Sequence, residues 1–216
     1  MTEIYLSMTT DIGTQLDTDF NLSIDVMLDK HWEAAQIIGF LGFPKNTRYS
    51  EGDEKIVIYP SEPNGDCLKI FKPAALSKGL THEENNAYST LIDIGLDKWL
   101  IPKGETIFVK DPQGQTLEVG YKQSYSPEIQ SINFGEFENY SPVIKESILE
   151  LFNFLKTLRE NPEIKHLPSI HMWVTNLFYT PEGKPVFLEY RTISKDDPAL
   201  VDWDAYFQGI MEIINS

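Results

Sequence analysis

Three hairpin turns, separated by helical patterns, constrain this sequence more than any other feature. The first is Ser61-Glu62-Pro63-Asn64-Gly65-Asp66, between the β-branched run Ile56-Val57-Ile58-Tyr59 and Cys67-Leu68-Lys69-Ile70-Phe71. The second, Asp111-Pro112-Gln113-Gly114, joins runs at 106–109 and 116–121. The third, Thr180-Pro181-Glu182-Gly183, joins 170–179 to 185–191. Proline presets the first turn dihedral and glycine accepts the left-handed one, so such turns fold two short strands back on each other. Residues 2–9 read as a further, first strand.

Apolar stripes at helical spacing lie between the hairpins. Ile24, Met27, Leu28, Trp32, Ala35, Ile38 and Leu41 predict a helix over 22–40, with Asp19 or Asn21 as its N-cap and Gly42-Phe43-Pro44 as its stop. Thr81-His82-Glu83-Glu84 has the form of a capping box and opens a helix with Ala87, Tyr88, Leu91 and Ile92 on one face, closed at Gly95. Ser141 as N-cap with Pro142 behind it opens a third, whose stripe is Val143, Ile144, Ile148, Leu151, Phe152, Leu155 and Leu158. Asn161-Pro162 stops it. Asp202 is the expected cap of a last helix over 203–214. Residues 124–140 have no clear period and read as a loop or crossover. The order helix, hairpin, helix, hairpin, helix, hairpin, helix predicts an α+β fold with antiparallel sheet, because no glycine-rich β-α-β repeat appears.

Charge narrows the partners. The chain of 216 residues has 33 acidic and 18 basic side chains, a formal charge of −15. Such a surface repels phosphate backbones and anionic lipid, so the expectation is no nucleic acid and no membrane. It attracts a basic protein partner, and it also serves solubility. No stretch approaches the roughly 18 consecutive apolar residues of a membrane span. Met1-Thr2-Glu3-Ile4-Tyr5 shows no basic run leading into an apolar one, so no signal peptide is expected. Cys67 is the single cysteine, which excludes an intrachain disulfide and makes the cytoplasm the expected location. The length suits one large domain or two small lobes sharing a core.

Common catalytic spacings are missing. One cysteine and histidines at 31, 82, 166 and 171 give no C-x-x-C or H-E-x-x-H pattern. There is no G-x-S-x-G elbow and no Walker A loop. Cys67 falls in a predicted strand and reads as a buried, inert thiol.

The order of the charged residues carries more. Lys69 ends the first hairpin in Leu68-Lys69-Ile70-Phe71, and a helix with Glu83 and Glu84 follows it. After a strand pair and a long helix come Ser169-Ile170-His171-Met172-Trp173-Val174-Thr175-Asn176-Leu177-Phe178-Tyr179 and then Val186-Phe187-Leu188-Glu189-Tyr190. Over residues 52–192 this resembles the protein-kinase-like fold, including its small aminoglycoside- and choline-kinase relatives. The resemblance implies a two-lobe arrangement around a cleft: residues 1–44 as an N-terminal strand and helix, 45–125 as a small sheet-rich lobe and 126–216 as a helix-rich lobe, all in one compact unit. In that family a strand lysine pairs with a helix glutamate and holds nucleotide phosphates, an H-R-D-x-x-x-x-N loop supplies the base and a metal ligand, and D-F-G supplies another. Lys69 matches the strand lysine, Glu84 (or Glu83) the helix glutamate, and Asn176 the loop asparagine. The implied cofactors are ATP and Mg, with His171 as base and Asn176 and Glu189 at the metal.

The chain departs from the family at its reactive positions. His171 stands for the catalytic aspartate, Glu189-Tyr190-Arg191 stands for D-F-G, and residues 48–53 contain only Gly52 in place of a glycine-rich loop. Histidine can act as a base near neutral pH and glutamate can ligate magnesium. Loss of both aspartates nevertheless reads as a degenerate member, a pseudokinase that regulates or binds a partner. Each residue also has a plain structural reading. Lys69 would be a strand lysine with its amine in water, Glu84 part of a cap, His171 a core residue beside Trp173, Asn176 a turn former and Glu189 an exposed strand residue.

Two other classes stay open. Phe108-Val109-Lys110-Asp111-Pro112-Gln113-Gly114-Gln115-Thr116-Leu117-Glu118-Val119 resembles the hairpin of the glyoxalase and ring-cleaving dioxygenase superfamily, whose late glutamate ligates a metal; 178–189 echoes it. That family needs a histidine on an earlier strand, and His31 and His82 fall in predicted helices. The remaining class is an acidic immunity or inhibitor protein covering the basic active site of a toxin or nuclease, with opposite charge speeding the encounter.

Overall fold

The computed structural model describes residues 4–8, 15–18, 28, 33–44, 46–61, 65–110, 115–169 and 177–215. Its helices and antiparallel sheets form an α+β fold. The chain divides into two compact units, Met1–Glu83 with Pro102–Pro127 and Glu84–Ile101 with Glu128–Ser216.

The first unit is built on a seven-stranded sheet. Its strands are β1 (Ile4–Met8), β2 (Gln15–Thr18), β3 (Tyr49–Glu51), β4 (Lys55–Ile58), β5 (Asp66–Phe71), β6 (Lys103–Lys110) and β7 (Thr116–Ser124), in the order β2-β1-β6-β7-β5-β4-β3. Every neighbouring pair is antiparallel. The expected first hairpin is β4–β5, with Ile56 opposite Ile70. The second is β6–β7, which runs further at both ends than the sequence indicates. The second turn itself, residues 111–114, lies outside the described residues. The first strand is present as β1. β2 has a single apolar residue, Leu16, and gives no strand signal.

The helix expected at 22–40 is not continuous: Leu28 is helical, but Glu33 is extended and caps a separate helix, α1 (Ala34–Phe40), which buries Ala34, Ile37 and Ile38 with Leu41 just beyond it and leaves Ala35 of the expected stripe exposed. Gln36 Oε1 accepts from the Glu33 backbone N–H at 2.9 Å. Asp19 and Asn21, the expected caps, lie outside the described residues. A short helix, α2 (Pro73–Ser77), follows β5 with proline at its start. Next comes α3 (Leu80–Asp93), which begins a residue before the predicted capping box. The Gly79 carbonyl accepts from Glu83 N–H at 3.2 Å, so Thr81 lies inside the first turn and does not cap it. Gly79, at φ +75°, both ends α2 and turns the chain into α3. Gly95, at φ +86°, follows α3 as expected.

In the second unit α4 (Pro142–Glu160) forms the centre. Ser141 Oγ accepts from Ile144 N–H at 3.4 Å and proline opens the helix, as the sequence predicts. Ile148, Leu151, Phe152, Leu155 and Leu158 are buried, whereas Val143 is 58% exposed, so the core stripe starts a turn late. At its end Lys195 Nζ donates to the carbonyls of Leu158, Arg159 and Asn161 at 3.0, 2.9 and 2.7 Å, placing a cation on the negative pole of the helix. The last helix is α5 (Leu200–Ile214). Asp202 lies in its first turn and is not the cap; Asp197 instead accepts from Ala199 N–H at 2.9 Å.

Short strands complete this unit. β8 (Gln130–Ser131) and β11 (Pro185–Phe187) flank β10 (Leu177–Tyr179), and β9 (His166–Pro168) pairs with β12 (Thr192–Ser194). The third expected hairpin is therefore present in its turn-proximal part, as β10–β11; residues 170–176 of its expected first strand lie outside the described residues. Its second strand is shorter than 185–191, because the chain bends at Leu188–Glu189 before β12. Residues 124–140 are not one loop: they hold the end of β7, β8 and a 3-10 segment, Phe134–Asn139, that buries Phe134 and Phe137. A spacing of three is the 3-10 repeat and is too brief to register as a helical period. The Phe152 ring lies 5.4 Å from Phe134 and 5.6 Å from Phe207, which ties α4 to that segment and to α5.

Candidate functional site

Register decides which side chains meet in the first unit. Lys69 lies opposite Val57 on one side and Tyr121 on the other; Lys55 is opposite Phe71, and Gln123 is opposite both Cys67 and Lys103. Directly opposed residues point to the same face of a sheet. Three lysines thus share one face with Phe71 and Tyr121. Lys55 and Lys69 are each only 7% exposed, and Tyr121 is fully buried. Lys69 Nζ lies 5.9 Å and Lys103 Nζ 4.8 Å from the centre of the Tyr121 ring, while Lys55 Nζ lies 5.1 Å from that of Phe71. An ammonium over a ring face is attracted by about 0.5–2 kcal/mol, which offsets part of its loss of water. Lys69 is therefore not the surface lysine of the plain reading.

One glycine shapes this face. A Cβ placed on Gly120 would lie 2.1 Å from the Lys69 carbonyl oxygen and 3.1 Å from Ile70 Cα. Only glycine lets β7 press this closely on β5. The register also breaks here: Ile107 opposes Gly120 but Phe108 opposes Glu118, leaving Val119 as an extra residue on β7.

The turn between β3 and β4 is Gly52-Asp53-Glu54. Gly52 N–H donates to the Lys55 carbonyl at 2.9 Å, and Glu51 pairs with Lys72 at 2.6 Å. Loops that wrap phosphates offer successive backbone N–H groups from several glycines. Here a single glycine is followed by two carboxylates.

Cys67 is buried on the lysine face. Burial pushes its thiol above the ordinary range, and the nearby Lys69 charge offsets this only in part. Native protein is expected to react with a disulfide reagent about 100-fold or more slowly than denatured protein. Equal rates in buffer and in guanidinium would show that this face is open to solvent.

In the second unit, α3 carries Glu84, which is 7% exposed, and one turn later Tyr88. The Tyr88 ring lies 4.6 Å from that of Tyr190, at 57°. Tyr190 is fully buried and its hydroxyl donates to the Ile101 carbonyl. Ile101 N–H in turn donates to the Phe187 carbonyl at 3.2 Å. Glu189, next to Tyr190, sits half-buried in the bend after β11 and faces Arg191 at 3.7 Å. It is not the exposed strand residue of the plain reading. The Tyr88–Tyr190 contact thus links the turn of α3 that holds Glu84 to the bend that holds Glu189.

Of the five residues singled out from sequence, Lys69 belongs to the first unit and Glu84 and Glu189 to the second. His171 and Asn176 lie outside the described residues. Lys55, Lys103, Tyr121 and the Tyr88–Tyr190 contact went unread. Lys55 borders a β-branched run and Tyr121 alternates with Val119 and Gln123, but no local pattern says that Lys69 and Tyr121 are opposed.

Among the described residues no group of three or more His, Cys, Asp or Glu could hold a metal ion. Glu118, the metal ligand that the glyoxalase resemblance implies, faces Lys103 at 3.3 Å, and His82 sits exposed on α3. No helix among the described residues is long and apolar enough to cross a membrane. The chain matches no protein-family model and no curated protein.

Proposed function

We propose that this chain is a degenerate protein-kinase-like protein that regulates or binds a partner protein and has lost phosphotransfer. The observation that carries the reading is Lys69. It is buried on the third strand of the meander β3–β4–β5, and the next long helix bears a buried glutamate, Glu84. Kinases keep their phosphate-binding lysine on the third strand and pair it with a glutamate of the following helix. A second support comes from Tyr190. It stands where the family has the D-F-G phenylalanine, whose packing sets the active and inactive states, and its ring lies against Tyr88 of that same helix.

The loss of catalysis follows from the residues that differ. His171 and Glu189 replace the two aspartates, and Asp53 and Glu54 put negative charge in the turn where the family has its glycine-rich loop. Where nucleotide binds, the resemblance gives Lys69 the phosphates and Glu84 the role of its partner, Asn176 and Glu189 the magnesium, and His171 the role of base. The two-lobe arrangement and a cytoplasmic setting belong to the same proposal.

Thermal melting with ATP and ADP, with and without Mg or Mn, tests the reading. At a nucleotide concentration about tenfold above its dissociation constant the melting temperature is expected to rise by about 3–6 °C. Lys69→Met keeps the volume of the side chain and is expected to abolish the rise while leaving the protein folded. Transfer of labelled phosphate to the chain itself or to basic model substrates should stay at background. The absence of any rise, across all nucleotides and metals, would remove the kinase-like reading; efficient transfer would remove the degenerate one.

A further inference from the structure

Helix α5 is apolar over more of its surface than its own unit covers. Phe207, Ile210 and Ile214 are buried on one side, where Phe207 stacks on Phe152. Away from that side Val201 is 74% exposed, and Ile213, at the flank of the buried stripe, is 39% exposed. Exposed Ala205 and partly exposed Gly209 lie between them at four-residue steps, so the four positions form one row along the helix. A Cβ placed on Gly209 meets nothing within 4 Å, which leaves the middle of the row low and open. Asp202 and Glu212 fall on this same exposed side at a spacing of 100° per residue. The helix carries no basic residue at all. Its remaining carboxylate, Asp204, is engaged by Arg159 at 3.0 Å.

We infer that this face of α5 is the docking surface for a basic amphipathic helix of a partner protein. The apolar row offers a ridge-and-groove seat for a helix, and Asp202 and Glu212 frame it with negative charge. Charge complementarity fixes the sign of the partner. A second copy of this chain would set Asp202 and Glu212 against carboxylates, with no cation on either helix to meet them. The overall charge of −15 adds long-range attraction for a cationic partner, so association is fast and weakens with salt. The inference rests on the binding role proposed above, whose partner chemistry it names, but nucleotide plays no part in it.

The test measures fluorescence anisotropy of three labelled peptides against the full chain. One is an amphipathic Leu/Lys helix, the second a Leu/Glu helix with the same apolar face, and the third a Ser/Lys peptide of equal charge without that face. The Leu/Lys peptide is expected to bind, with affinity falling about tenfold or more as salt rises from about 50 to about 300 mM. The Leu/Glu and Ser/Lys peptides are expected to bind at least about tenfold more weakly. Val201→Lys combined with Glu212→Lys is expected to weaken the Leu/Lys peptide about tenfold or more without altering circular dichroism or melting, since both positions are exposed. The proposal is overturned by equal binding of the Leu/Glu peptide, which marks indifferent apolar adhesion, or of the Ser/Lys peptide, which marks charge alone. Unchanged binding by the double variant overturns it too, as does self-association of the wild-type chain that the variant abolishes. Lys69→Met should leave peptide binding intact, and the double variant should leave the nucleotide response intact, so failure of one reading is separable from failure of the other.

Discussion

Replacing Gly120 by alanine is expected to lower the melting temperature by about 10 °C or more, corresponding to about 3–5 kcal/mol lost from the native state. The added methyl would sit 2.1 Å from the carbonyl oxygen of Lys69 and 3.0 Å from its carbonyl carbon. Those atoms belong to the backbone of a central strand, so no side-chain rotation relieves the clash. The sheet relieves it only by separating β5 from β7, which stretches the ladder that pairs Lys69 with Tyr121 and Ile70 with Gly120. The argument is one of space and does not depend on a left-handed backbone at this position. Gly209 is the matching control. It lies within α5 with nothing near its missing Cβ, so Gly209→Ala is expected to be neutral or to stabilise by up to about 1 kcal/mol. A Gly120→Ala protein melting within about 2 °C of wild type would mean that the strands do not approach as described. The same variant is expected to blunt the nucleotide response, because it displaces the backbone that carries Lys69.

The hairpins were legible because proline- and glycine-bearing stretches mark in the sequence where a chain can reverse, and antiparallel pairing of adjacent strands then needs no distant information. α4 was legible because a Ser-Pro start and a long apolar stripe agree along its length. The failures lie where the deciding contact is distant or the segment too short for a period. Thr81-His82-Glu83-Glu84 has the composition of a cap, but Gly79 supplies the reversal and starts the helix earlier. Asp202 misses the cap for a similar reason: α5 starts earlier than the stripe indicates, at Leu200 behind Ala199, and the Asp197 carboxylate closes the turn that leads into it. The site divides the same way. Lys69, Glu84 and Glu189 could be chosen from their order along the chain. That Lys69 is buried beside Tyr121 could not, since β5 and β7 are joined only through α2, α3 and β6.

Tyr190→Ala is expected to cost about 3–5 kcal/mol, the range for emptying the volume of a buried aromatic ring. Tyr190→Phe, which keeps the ring and removes only the hydroxyl bond to the Ile101 carbonyl, is expected to cost about 1–2 kcal/mol. Denaturant melts of the two variants separate packing from hydrogen bonding. Their effects on α3 separate a general core role from the particular one argued here. The Tyr190 ring lies against Tyr88, one turn beyond Glu84, so its removal frees the face of α3 that positions Glu84. Amide exchange over residues 84–92 is expected to accelerate in Tyr190→Ala beyond what the global loss of stability produces, with Tyr190→Phe close to wild type there. Uniform acceleration throughout the second unit would instead make Tyr190 an ordinary core residue. That outcome would leave the likeness of Glu189-Tyr190-Arg191 to D-F-G without a physical counterpart, because the family's middle residue matters through the helix it holds.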